Sequence, residues 1–139
     1  MSRPSRLLPL VVVAVIAAGC AASDQPEALR EGRSIYGDMC SVCHGARGEG
    51  SAGPALENLI ETWPLCSDQV EWIAVGSEGW RARHGATYGA PDKPVAGGMP
   101  AHEDQLTPEE MRRVAAFERA EYGGLDPEAA LTQCEVVHD

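Results

Sequence analysis

Apolar residues recur along this chain at helical intervals, and strand-like alternation is absent. Across residues 26–43, Leu29, Gly32, Arg33, Tyr36 and Cys40 fall three and four positions apart, with Pro26 at the start and Glu27 in the first turn, which predicts a helix. A second begins at Thr107-Pro108-Glu109-Glu110. Thr107 can cap it, Pro108 suits the first helical position and Glu110 completes a capping box. Met111, Val114, Ala115 and Phe117 form its apolar side, and Gly123-Gly124 ends it. Gly32 costs its helix about 1 kcal/mol of propensity, which is tolerable if the C-terminal helix must approach closely there.

Two shorter helices are predicted between these. Residues 55–63 are stopped by Pro64, and residues 67–75 are capped by Ser67 or Asp68 and closed by Gly76. Residues 45–53 read as a glycine-rich loop, and residues 76–98 as a long loop interrupted by Pro91 and Pro94. A loop of that length inside a compact domain usually carries function. Residues 124–139 read as a tail with a helical turn at 127–131. The expected class is all-α, in one domain.

The N-terminus stands apart from this pattern. Arg3 and Arg6 precede an apolar run over residues 7–18, too short for a comfortable membrane span and suited to an export signal. The run ends in Ala17-Ala18-Gly19-Cys20, which resembles the cleavage box of bacterial lipoprotein signal peptides, in which the cysteine takes lipid and becomes the new N-terminus. Several acyl chains on Cys20 would anchor the protein stably without a spanning helix. Ordinary cleavage nearby, or an uncleaved apolar anchor over residues 7–22, are the alternatives. The expected organisation is a signal peptide at 1–19, a lipid-attachment cysteine and tether at 20–25, a domain at 26–123 and a tail at 124–139.

Charge narrows the partners. The whole chain carries a formal net charge of −10, and without residues 1–19 nine basic residues face twenty-one acidic ones, a net of −12. Nucleic acid is excluded as a partner, and a protein with a basic docking patch is favoured.

The chemistry concentrates in Cys40-Ser41-Val42-Cys43-His44. On a helical turn the two thiols share one face and can reach the two vinyl groups along one edge of a porphyrin, while His44 presents its imidazole to the iron. Half a zinc site or a redox dithiol would use similar residues, but zinc needs further ligands, and the histidine directly after the second cysteine marks c-type haem attachment. On this reading Val70, Ile73 and Ala74 suit a helix face turned toward the haem. Cys66 and Cys134 then remain as an even pair in a disulfide-permissive compartment, either bridged or as two buried thiols. For the iron's other side Met99 is the choice. It lies in Gly97-Gly98-Met99-Pro100, where glycines let backbone approach the ring and proline fixes the following turn. His102 and His84 are the alternatives. Trp80 and Arg81 could donate to buried haem propionates, or belong to a docking surface or an ordinary loop.

Taken together, the attachment motif, Gly32 and Tyr36 before it, Gly48-x-Gly50-x-x-Gly53-Pro54-x-Leu56, the Gly-Met-Pro around Met99 and the closing helix resemble the class I c-type cytochromes over residues 27–122. The resemblance implies N- and C-terminal helices crossing over one haem, His44 and Met99 as axial ligands, and the Pro54 carbonyl accepting the other ring N–H of His44. The expected function is single-electron transfer between respiratory-chain components, on the outer face of a bacterial cytoplasmic membrane or in the periplasm. A quinol-oxidising complex, a terminal oxidase or a dehydrogenase would be the partner. A haem subunit fixed in such a complex is one alternative. A haem enzyme or gas binder is the other, if Met99 does not bind the iron.

Overall fold

The computed structural model describes residues 25–136. Expectations for Cys20 and for the signal segment fall on residues outside that range. Its helices are α1 (Glu27–Ile35), α2 (Ser41–His44), α3 (Leu59–Thr62), α4 (Cys66–His84), α5 (Pro108–Glu121) and α6 (Pro127–Gln133), with a π-helical segment, Tyr36–Cys40, joining α1 to α2. No helix among the described residues is long and apolar enough to cross a membrane.

Helices α1 and α5 cross where the sequence places a glycine. A Cβ on Gly32 would overlap the Arg113 carbonyl oxygen and lie 2.8 Å from the Phe117 Cβ, so the two backbones meet with nothing between them. Tyr36, Phe117 and Tyr122 pack ring against ring beside the crossing. At its edges Arg113 pairs with Glu31, and Arg33 with Glu121 at 3.2 Å. The capping box forms as the sequence predicts: Glu110 N–H donates to Thr107 Oγ1, and Thr107 N–H to Glu110 Oε2 at 2.7 Å.

Two expectations need correction, whereas the helix predicted over 67–75 does break at Gly76: that residue leaves helical geometry at φ +63° and ψ −172°, and a further helical stretch then runs over 77–84. A side chain there would collide with the Met99 carbonyl oxygen at 2.6 Å, so tertiary contact selects the glycine. The supposed loop at 76–98 is therefore partly helix, and it also holds a small antiparallel hairpin, β1 (Thr87–Tyr88) with β2 (Lys93–Pro94). The helix expected over 55–63 shrinks to α3.

The C-terminal segment is part of the core. Asp126 caps α6 by accepting from Glu128 N–H at 3.0 Å and Ala129 N–H at 3.3 Å. Ala130, Leu131, Cys134 and Val136 are buried against α5 and its neighbours. A disulfide joins Cys66 at the start of α4 to Cys134 just beyond α6, with Cα atoms 5.2 Å apart. A second apolar cluster of Leu59, Trp63, Val75, Trp80 and Val95, with Trp72 and Tyr88 packed against it, lies on the other side of the molecule's large cavity.

Candidate functional site

The site is built around His44, and its own backbone does much of the building. The loop after it folds back: Gly50 N–H donates to the His44 carbonyl at 2.7 Å, Gly53 N–H to the Cys43 carbonyl at 2.8 Å, and Tyr36 Oη to the Gly45 carbonyl at 2.6 Å. This carries Pro54 beneath the imidazole, with its carbonyl oxygen 2.8 Å from His44 Nδ1. A carbonyl can only accept, so Nδ1 carries the proton and Nε2 keeps its lone pair. Gly53 permits the approach, since a Cβ there would sit 3.2 Å from His44 Cε1.

His44, Cys40 and Cys43 line one cavity of about 480 Å³, and so do Met99 and the apolar side chains of Leu59 and Ile73. The cysteines are unbridged and half-buried. Burial pushes the Cys40 thiol up to about 12, with the charges of Glu118 and Cys43 adding to the effect. Among the described residues no group of three or more His, Cys, Asp or Glu is disposed to hold a metal ion. The donor set on the cavity suits a haem: two thiols, an imidazole lone pair and a thioether around an apolar space.

The segment carrying Met99 is strapped to α4 at its break. Ser77 N–H donates to the Met99 carbonyl at 3.0 Å, Met99 N–H to Ser77 Oγ at 3.2 Å, and His102 N–H to the Ala74 carbonyl at 3.0 Å. His102 also lines the cavity; it is buried, and its Nδ1 has no hydrogen-bond partner among the described residues. Burial lowers its pKa, favouring the neutral ring. His84 is elsewhere, 2.9 Å from Glu71 and against the Trp80 ring. Met111 is a core residue.

Trp80 and Arg81, read as propionate donors, a docking surface or an ordinary loop, are not among the cavity-lining residues. The Trp80 indole N–H donates to the Thr87 carbonyl at 2.9 Å, and Arg81 donates to the Val95 carbonyl at 2.6 Å. Both brace the hairpin, whose existence the sequence reading missed. Of the expected helix face, Ile73 reaches the cavity, while Val70 and Ala74 pack on the core. The reading also missed Glu118, Gln69 and Lys93, all on the cavity wall. For Glu118 a signal existed, since it follows Met111 and Val114 along the apolar stripe of α5.

The cytochrome c family model matches residues 29–118. Cytochrome c-L of Methylorubrum extorquens is 32% identical over 101 residues, covering 73% of this chain and 44% of that protein. The chain thus spans less than half the length of this curated relative. Among solved structures, cytochrome cL of Hyphomicrobium denitrificans is similar at 26% identity over 74% of this chain and 56% of that one, with a TM-score of 0.47. Cytochrome CL of Methylophaga aminisulfidivorans is similar at 23% identity over 76% and 68%, with a TM-score of 0.49.

Proposed function

The chain belongs to the cytochrome c family, whose members carry covalently attached haem c, and on that premise we propose that it is an exported, membrane-tethered carrier of single electrons between respiratory-chain components. The haem supplies a one-electron ferrous/ferric couple. Cys40 and Cys43 hold it through thioethers, His44 is the proximal ligand and Met99 the distal one. The observation that carries this assignment is the meeting of both thiols, the oriented imidazole and the Met99 thioether on a single apolar cavity.

Each protein group has a stated task. The Pro54 carbonyl holds the imidazole in one tautomer and raises its basicity, which tunes the iron. The reciprocal hydrogen bonds between Met99 and Ser77 would keep the distal segment in place in both oxidation states, so that little reorganises when an electron moves. The formal charge of −10 favours a partner with a basic docking patch. A quinol-oxidising complex, a terminal oxidase or a dehydrogenase would provide it. Lipid on Cys20, followed by a tether over residues 20–25 that extends at most about 20 Å, would keep the haem close to the outer face of the membrane.

The test is a set of spectra on protein from cells that mature c-type cytochromes. The carrier reading expects haem that resists denaturing extraction and a low-spin form unchanged by modest carbon monoxide or cyanide. Colourless protein overturns it, and ready ligand binding would move the assignment to a haem enzyme. In the same cells Cys20→Ala should shift the protein from membrane to soluble fraction; retention in the membrane removes the lipid anchor.

A further inference from the structure

The cavity wall holds an acid that electron carriage, as described above, does not use. Glu118 is on α5, one turn after Val114, only 6% exposed, and it lines the cavity. Gln69 Nε2 donates to its Oε2 at 2.8 Å. Gln69 is itself 1% exposed, and its Oε1 accepts from Arg119 Nη1 at 3.0 Å. Arg119 is fully buried and also donates to the Trp63 carbonyl at 2.9 Å and to Gln133 Oε1 at 2.8 Å. One amide thus links a carboxyl on the cavity to a guanidinium locked in the core. This arrangement tolerates the carboxylate, through the amide and the distant positive charge, without giving it a direct ion pair. Its proton affinity is therefore open to any charge that changes within the cavity.

We propose that Glu118 is a proton-binding site linked to the redox state of the haem. The inference rests on the haem assignment above. One electron from a docked one-electron donor reduces ferric to ferrous iron, and the site loses one unit of positive charge. The ionised Glu118 loses that favourable neighbour and takes a proton from solvent, forming one carboxyl O–H bond and breaking no bond within the protein. Reoxidation returns the electron to an acceptor and the proton to solvent.

Burial raises the Glu118 carboxyl to about 7, against the pull of the Gln69 hydrogen bond, which puts the exchange near neutral pH. Other titratable and charged groups face it from the elements packed around it. Tyr36 and Tyr122 are raised above an ordinary tyrosine, chiefly by burial. Cys40 and Cys43 are thioethers once haem is attached, and Arg119 stays charged. Across the cavity His44 is committed to iron, Lys93 donates to Thr62 Oγ1 at 2.7 Å, and burial lowers the His102 pKa. Arg33 in the last turn of α1 and Glu121 at the end of α5 pair with each other.

The test is a redox titration of the intact holoprotein at a series of pH values from about 5 to about 9. The expected potential is higher in acid. A tenfold difference in Glu118 proton affinity between the two oxidation states would separate the acid and alkaline plateaus by about 59 mV. Glu118→Gln should hold the acid value throughout; an unchanged pH profile in that variant overturns the proposal. Should the variant not fold, reduced-minus-oxidised infrared difference spectra of the wild type decide. A protonated-carboxyl band must appear on reduction, and its absence overturns the proposal. Protein lacking haem would instead defeat the electron-carrier reading, whereas low-spin haem with a flat pH profile defeats only this inference.

Discussion

Gly32 and Phe117 meet where α1 crosses α5, and a Cβ on the glycine would stand 2.8 Å from that of the phenylalanine. Because the Arg113 carbonyl lies in the same space, neither helix can yield by rotating a side chain. The crossing carries both the attachment turn on α2 and Glu118 on α5, so local packing governs the spacing of the haem site.

Replacing that glycine therefore tests the crossing. Gly32→Ala gains about 1 kcal/mol of helix propensity but overpacks a backbone contact, at about 1–3 kcal/mol. Urea denaturation of the holoprotein should show a net loss. A variant as stable as wild type would mean that the helices do not approach so closely.

The distal ligand gives a spectroscopic prediction. Met99→Ala should abolish the sulfur-to-iron charge-transfer band and lower the potential, because methionine ligation raises it. Gly76→Ala should act on the same band from a distance. Its φ of +63° and its contact with the Met99 carbonyl leave no room for a methyl group, so the strap must shift. An unaltered band in Gly76→Ala, with full haem content, would uncouple the bend in α4 from the ligand.

Removing the disulfide should loosen α6 without dissolving the site. Cys66 and Cys134 are 68 residues apart, and closing so long a loop constrains the unfolded chain by about 4 kcal/mol in the loop-entropy model. The double variant Cys66→Ser/Cys134→Ser should lose up to that amount in denaturant, with hydrogen exchange accelerated first in α6. Unchanged protection there would show that α6 packs without the bridge.

Acid stability should report on the capping box. Hydrogen bonds from the Thr107 backbone and hydroxyl hold the Glu110 carboxyl below its ordinary value. A carboxyl depressed on folding adds stability above the ordinary value near 4.5, and loses it as pH falls through the lower folded value. Glu110→Gln should therefore be less stable than wild type at neutral pH, with the gap closing in acid. A gap that persists in acid would assign the effect to packing.

What the sequence determined by itself is what rests on near neighbours. Cys40, Cys43 and His44 form one turn, Thr107 and Glu110 cap each other across three residues, and the pairing of Gly32 with a second helix follows from one helical stripe. Tertiary structure decided what depends on partners far along the chain. Gly76 reads as a helix stop and is one, but the second helical stretch that follows it, and the Met99 segment that presses on it, show only in the fold. The Trp80 indole looks suited to a propionate, yet its N–H is taken by the Thr87 carbonyl of a hairpin too short to show alternation. Residues 124–139 read as a tail, yet the disulfide at Cys134 and the apolar side of α6 put Ala130, Leu131, Cys134 and Val136 in the core. Glu118 looks like one more surface acid until the fold turns it onto the cavity and sets Gln69 and Arg119 behind it. Covalent spacing and helical period are local quantities, whereas burial and hydrogen-bond competition exist only once distant segments have met.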